Sequence, residues 1–492
     1  MTADNRRAIP TSRAGLAAAD LSRLRLAWVF GLPDAVRFRS HPALAGGAVY
    51  LGSQDGRVFA LERKTGCVRW VFRARGEVRT AVVVAPWRAG DRTARPLAYF
   101  GDYLGNVYAV DAASGELRWQ VRPDPHPSAV ITGSPTLHEG VLYVPVSSLE
   151  VLAAQDPAYH CCTFRGAVVA LDADTGAERF RVHTVTEPAT PRGANRLGTP
   201  RFGPAGAPVW GSPAVDARRR QLLFGTGQNY SRPATATSDA IFAVDLDSGR
   251  VRWIFQATAD DVWNAACEVD EDANCPEDPG PDYDFGAPPL LARGADGRDY
   301  VLAGQKSGWV YALDPDDGRL RWKVQVGAGG LNGGVHFGMA AAAGRLFVPI
   351  SDADLGRHHV PREPRPGLYA LDVATGALLW QWPAPDVCAG RVGCKRGNGQ
   401  AVAVAGDLVF AGSIDGHLRV HDARTGAVLW DFDSAREWPS VNGVPARGGS
   451  FEGAASPVVD RGWLYFGSGY LFHPYMPGNA FFAFAVVDED TP

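Results

Sequence analysis

Apolar and polar residues alternate in short runs along most of the chain, and the alternation returns in a fixed wording. An aromatic or aliphatic residue, a small or aliphatic pair and an acid lead through two residues into Thr/Ser/Asp-Gly, then three residues and Trp. It reads VFALERKTGCVRW ending at Trp70 and VYAVDAASGELRW ending at Trp119. VVALDADTGAERF follows, with Phe180 in the Trp place. IFAVDLDSGRVRW, VYALDPDDGRLRW, LYALDVATGALLW and LRVHDARTGAVLW then end at Trp253, Trp322, Trp380 and Trp430. Period-two alternation on both sides of a glycine turn predicts a β-hairpin. Glycine supplies the left-handed turn residue, and the acid can hydrogen-bond the turn backbone.

The turn glycines run from Gly66 to Gly426 at a spacing of about 60 residues. Before each hairpin lies another strand pair, as in PALAGGAVYLGSQDGRVFAL. Four strands at this period predict a blade of a β-propeller, with each Trp packed between neighbouring blades. The ends fix the blade count. GNAFFAFAV, from Gly478, starts a hairpin without a turn or Trp, whereas RLRLAWVFG, from Arg23, has the Trp strand without a hairpin. The expected fold is therefore all-β: an eight-bladed propeller of four-stranded antiparallel blades, the last closed by the N-terminal strand. Closure leaves no sheet edge unpaired. Residues 1–22 are read as a tail and 23–492 as one propeller domain.

Composition narrows the class. With 46% hydrophobic residues the chain is not disordered, and its 57 Gly and 36 Pro have no collagen period. No apolar window reaches the roughly 18 residues of a membrane span. A formal net charge of −4 without a basic block speaks against nucleic acid as partner. Six of the seven cysteines form close pairs, Cys161/Cys162, Cys267/Cys275 and Cys388/Cys394, which read as small disulfide loops and a periplasm-like oxidising compartment. The N-terminus shows no apolar leader segment, which is the opposing indication on location. No C-x-x-C-H occurs, so no covalently attached haem is expected in these residues. Only four basic residues, Lys64, Lys306, Lys323 and Lys395, are lysines.

Chemistry is expected where the repeat is broken. VPVSSLEVLAAQDPAYHCCTFRG delivers Ser147 and Glu150 ahead of Cys161-Cys162, a pair open to reading as free thiols, soft-metal ligands beside His160 or a vicinal disulfide. Trp210 stands outside the packing position, a rim aromatic or a platform for a flat ligand. Gln228 follows a strand end. The acidic insertion leading to Asp282-Tyr283-Asp284 places two carboxylates where they could hold a hard cation or act as a base. Lys306 begins a blade as a point charge in a chain that otherwise uses Arg. The string DFGAPP lacks every other kinase element, and VGAGGLNGGVHFG opens no helix, so neither is read as a nucleotide motif.

These strings resemble the pyrroloquinoline quinone (PQQ)-dependent alcohol dehydrogenases. The wording at KTGCVRW, YHCCTFRG, GTGQNYSRPATATSDAI, GPDYDFG, AGQKSGWVYALD and MPGNAFFAF is similar to the polyvinyl-alcohol dehydrogenase branch, over about residues 24–486. The resemblance implies an eight-bladed propeller in which Trp210 supports one face of the quinone and a Cys161–Cys162 disulfide covers the other. It implies metal ligation by Glu150, Gln228 and Asp282, Gln228 standing where methanol-oxidising relatives have Asn. Asp282 matches the catalytic base and Asp284 the extra acid of lanthanide-using relatives, with the two roles open to exchange. Lys306 matches the basic residue beside the quinone's C5 oxygen. Arg79, Thr132 and Ser147 match the residues that bind the cofactor's carboxylates, and Asp352 one at its far edge. The implied activity is oxidation of an alcohol by PQQ with Ca2+ or a lanthanide, the electrons leaving to a separate cytochrome c. The competing expectation is a non-catalytic propeller that binds proteins, of the outer-membrane assembly type.

Overall fold

A computed structural model describes residues 4–87, 91, 94–270, 272–353, 362–472 and 474–487. The hairpin code folds as its periodicity dictates. Blade one pairs Ala43–Ala45, Ala48–Gly52, Arg57–Glu62 and Val68–Arg73 in chain order. Blades two to seven repeat this over 83–121, 136–183, 214–256, 290–325, 340–383 and 403–433. In blade eight, Val458–Asp460, Trp463–Ser468 and Ala480–Val486 are completed by the N-terminal strand Leu24–Gly31, antiparallel from Leu24 opposite Val486 to Gly31 opposite Ala480. The expected closure is thus present, and all eight blades have four strands.

First strands of successive blades touch one another and so ring a central channel; Ala340–Ala342, for example, meets both Leu290–Arg293 and Ala403–Ala405. The repeated Trp joins the ring blade to blade. The Trp253 Nε1 donates to the Pro315 carbonyl at 3.1 Å, and the same bond runs from Trp70 to Ala112 and from Trp380 to Ala423. Each ring except that of Trp430 lies on the turn glycine of the next blade. A Cβ on Gly318, whose φ is +72°, would stand 2.5 Å from the Trp253 ring. Both the turn and the close approach therefore exclude any larger residue. Losing one such buried ring costs about 3–5 kcal/mol. A cross-hairpin ion pair recurs beside it, Arg118 with Asp111 and Arg252 with Asp245 among others.

Strand direction alternates, so the hairpin turns of the repeat, Gly66 to Gly426, lie at one end of the ring and the connections between blades at the other. That second end carries the candidate site residues, Ser147 at the end of the strand Val141–Ser148 and Lys306 in the tight turn between Asp299–Gly304 and Trp309–Leu313. At the channel itself, residues 4–22 of the stretch expected as a tail are built into the fold. Backbone carbonyls of Asp4, Arg6, Arg7 and Ile9 accept from Leu291, Ala341, Val404 and Gly406. Ala8–Ile9 adds a parallel fifth strand to blade seven, and the turn of helix Thr11–Ala14 then reaches Arg461 of blade eight. All three expected disulfides are formed, Cys161–Cys162, Cys267–Cys275 and Cys388–Cys394, with Cys67 free and exposed.

Candidate functional site

The loop between blades four and five buries Asp282 and Asp284 and leaves Tyr283 partly exposed. Asp284 is the hub. Its Oδ1 accepts from the Gln228 backbone N–H at 2.9 Å and its Oδ2 from the Trp210 indole N–H at 3.1 Å. The Lys306 Nζ lies 2.8 Å from the same Oδ2 and 2.9 Å from the Asp282 Oδ2. One ammonium thus spans both acids, and the acid that carries it also holds the aromatic platform. Burial opposes the Lys306 charge, but Asp282 and Asp284 outweigh it and hold the ammonium above its ordinary pKa. Asp282 sits in left-handed backbone at φ 59° with its Oδ1 buried and without a hydrogen-bond partner. Burial pushes its carboxyl well above the usual range, against the pull of Lys306 and with the push of Asp284.

Two further acids, not singled out in the sequence, stand behind this pair. Asp261 receives the backbone N–H of Asp282 at 3.2 Å and of Tyr283 at 2.7 Å, fixing the run's path. Burial raises its pKa to about 6. Asp239 is fully buried with neither carboxyl oxygen partnered, and burial, then Asp261, drives it well above the carboxylate range. Four buried carboxyls therefore face one ammonium, an excess of negative charge that calls for protons or a cation of higher charge.

Trp210 carries the site across the channel. Its ring meets His336 and Phe337 edge-on, with centroids 5.7 and 6.0 Å away. Lys306 Nζ and Arg79 lie 5.7 and 6.0 Å from the indole centroid. Gly286 lies so close that a Cβ there would be 1.9 Å from the indole. Arg79, Thr132, Arg39 and Phe337 line the space beside Trp210. The Thr132 Oγ1 is buried with no partner. Tyr103 OH accepts from both Arg39 at 2.7 Å and Arg79 at 3.4 Å.

The third part is the blade-three loop. Cys161 and Cys162 are buried, joined by a disulfide across a cis peptide bond. Glu150 opens the helix Glu150–Ala153 fully buried. Its Oε1 accepts from Tyr159 OH at 3.0 Å and the Thr163 N–H at 2.8 Å, and its Oε2 from the Phe164 N–H at 2.8 Å. Glu150 thus holds the segment that follows the two cysteines. Tyr230 is fully buried, and its hydroxyl is driven well above its ordinary pKa by burial, then by Asp284, Glu150 and Asp282.

The remaining candidates take other partners. The Gln228 side-chain Nε2 donates to the Trp263 carbonyl at 3.3 Å. Ser147 is buried on Val141–Ser148, opposite Val130 and near Thr132. Asp352 is taken up by backbone: Ala328, Gly329, Gly334 and Arg365 all donate to it, the shortest bond 2.7 Å. It shapes the Gly-rich loop that brings Phe337 to Trp210. Asp239, Asp261, Tyr230 and Arg39 carried no readable signal, since each is an ordinary residue type in an ordinary context until the ring closes. Among the described residues no three His, Cys, Asp or Glu side chains converge as a ready cation cage.

Residues 14–328 match the glucose/ethanol/alcohol dehydrogenase β-propeller domain family, and residues 306–471 the outer membrane protein assembly factor BamB family. The chain is 40% identical over 461 residues to a polyvinylalcohol dehydrogenase of Pseudomonas sp, covering 93% of this chain and 70% of that protein. It is 37% identical over 465 residues to the polyvinylalcohol dehydrogenase of Sphingopyxis sp. (strain 113P3), at the same coverages. Its fold superposes on quinohemoprotein alcohol dehydrogenase ADHIIG from Pseudomonas putida HK5 with a TM-score of 0.70 at 19% identity, over 100% of this chain and 81% of that one.

Proposed function

Because the chain belongs to the PQQ-dependent alcohol dehydrogenase family, whose members oxidise alcohols, we propose that it oxidises secondary or polymeric alcohols, polyvinyl alcohol among them, with Asp282 as base. The observation that carries this reading is the Lys306 bridge: the one ammonium joins Asp282 to Asp284, and Asp284 holds the Trp210 platform.

The residues fit the absent groups. Unpartnered buried oxygens occur at Asp282 Oδ1 and Thr132 Oγ1, and the excess of carboxyls suits a divalent or trivalent cation. Asp282, Glu150 through the free lone pair of Oε2, and Gln228 would hold Ca2+ or a lanthanide. Trp210 and the Cys161–Cys162 disulfide would bracket PQQ, with Arg79, Thr132 and Ser147 at its carboxylates. When bound, the quinone supplies the two-electron acceptor and the cation a Lewis acid. The chain's own part is positional and acid–base. Asp282 Oδ1, the one oxygen of the D-Y-D pair without a donor, takes the alcohol's hydroxyl proton as the carbon gives up its hydride. Asp284, under three donors, acts as the positioning acid. Lys306 balances the charge and keeps the two carboxyls apart in role. Asp352 serves through the loop it orders.

This reading places the protein as one propeller domain in an oxidising compartment such as the periplasm, supported by three disulfides, with a separate cytochrome c as electron acceptor. Purified protein mixed with PQQ and either Ca2+ or a lanthanide is expected to reduce dye with short secondary alcohols and polyvinyl alcohol. Absence of turnover with both ions, together with no bound quinone absorbance, overturns the proposal in favour of a protein-binding propeller.

A further inference from the structure

The N-terminal arm does not fill the channel it enters. Residues 5 and 7–10 border a cavity of about 330 Å³, so the arm contributes through its bonds rather than its bulk. Asn5 is only 1% exposed and sits at φ 56°, a left-handed backbone that Asn tolerates. Its Nδ2 donates to the Ser212 carbonyl at 3.0 Å and to the Pro289 carbonyl at 3.3 Å. One amide thus spans the entries to blades four and five. Both segments serve the aromatic platform. Ser212 lies two residues after Trp210, and Pro289 three after Gly286, which lies against the indole. The segments also touch, since a Cβ on Gly211 would stand 2.9 Å from the Gly286 carbonyl oxygen. Among the described residues no backbone hydrogen bond joins 211–213 to 286–289 directly.

From Ser212 the bonding continues around the channel. Its Oγ accepts from the Ser134 N–H at 3.1 Å, and the Ser134 Oγ accepts from the Ala81 N–H at 2.8 Å. The Ser40 Oγ of blade one then donates to the Thr80 carbonyl at 2.7 Å. All three serines are buried. The register is regular: Arg79, Thr132 and Trp210 stand two residues before Ala81, Ser134 and Ser212 respectively. Three side chains that line the space beside Trp210 therefore hang from one belt of hydrogen bonds. Asn5 ties that belt to blade five. The arm reaches the platform a second time through Arg7, whose guanidinium packs on Gly338, next to Phe337.

We infer that Asn5 is a positioning residue of the cofactor site. Its amide fixes the Trp210 segment against the Gly286 segment and, through Ser212 and Ser134, sets the spacing of Trp210, Thr132 and Arg79. Removing a buried donor leaves its acceptors unsatisfied and frees the segments they belong to. A site assembled in advance binds a rigid flat ligand more tightly than one that must be ordered on binding. The belt is a property of the chain alone, whereas its consequence for PQQ rests on the dehydrogenase reading.

Asn5→Gly keeps the left-handed backbone and removes only the side chain, while Asn5→Asp keeps the shape without the donor. Hydrogen–deuterium exchange of cofactor-free protein reads the belt. In both variants the amides of Ala81 and Ser134 should exchange about tenfold faster, with the blade-six hairpin Gly367–Asp372 and Leu378–Pro383 unchanged. Titration with PQQ, followed by quenching of tryptophan fluorescence, should show affinity weakened by about five- to twentyfold. Gly443→Ala strains a left-handed turn at φ 73° with open space around it. It should alter neither reading, which separates positioning from general destabilisation. Unchanged exchange at Ala81 and Ser134 overturns the inference, as does full PQQ affinity in Asn5→Gly when the parent binds. Faster exchange in the variants with no PQQ binding by the parent upholds the belt and overturns the dehydrogenase reading instead.

Discussion

Asp282 and Asp284 differ by two positions and share one lysine, yet their hydrogen bonds give opposite consequences for the same change. Replacing Asp284 by Asn keeps its shape but points an amide N–H2 at donors. In the folded protein its Oδ2 faces the Trp210 N–H and Lys306 Nζ, and its Oδ1 the Gln228 N–H. Whichever way the amide turns, at least one buried donor loses its acceptor and the Lys306 pair loses its better half. Breaking a buried pair on one side costs about 3–5 kcal/mol. Asp282→Asn leaves Lys306 paired with Asp284 and removes one of four crowded carboxyls. Its Oδ1 has no donor to lose, so stability should change by less than about 1 kcal/mol. Activity falls in both variants, and for Asp282→Asn by about 10²–10⁴, the contribution of a positioned base. The assay is guanidinium unfolding of cofactor-free protein, followed by tryptophan fluorescence and circular dichroism; coincident transitions license the free energies. Equal destabilisation by the two variants, or an Asp284→Asn cost under about 1 kcal/mol, refutes the assignment of positioning acid and free base.

Gly318→Ala and Gly140→Ala separate turn conformation from blade docking, because φ is +72° and +74° while only Gly318 faces an indole. Gly140→Ala should cost about 1–2 kcal/mol for the left-handed residue, and Gly318→Ala at least twice that in a denaturant titration. Gly286→Ala places a methyl 1.9 Å from the Trp210 ring, so it should weaken PQQ binding at least tenfold, read by quenching of tryptophan fluorescence, with an unchanged circular dichroism spectrum. Glu452 is buried with an unpartnered Oε2, and burial pushes its pKa to about 8 from an ordinary 4.5, against the Arg39 charge. Between those values the folded chain keeps this proton and the unfolded chain gives it up, so Glu452 lowers stability as pH rises, by about 1.4 kcal/mol per pH unit. Glu452→Gln should remove that slope and unfold at a higher temperature than the parent at pH 8.

Local periodicity was enough for the architecture. A strand's two-residue alternation, a turn's need for glycine and an indole's need for cover are all satisfied within or next to one repeat. Gly66 to Gly426, the seven ring positions from Trp70 to Trp430 and the split eighth unit therefore spelled out the eight blades and their closure. The breaks in that code also located Trp210, Glu150, Cys161–Cys162, the D-Y-D run and Lys306. Partnership was a different matter. Lys306 meets Asp282, Trp210 meets Asp284, and Arg7 meets the channel only because closing the ring brings separate blades and the arm to one axis. No local pattern carries such a contact, since its cost and gain appear only after the chain between has folded. Tertiary structure alone decided which Asp oxygen is free, why Asp239 and Asp261 are perturbed, that Asp352 serves a loop, and that the first residues line a cavity.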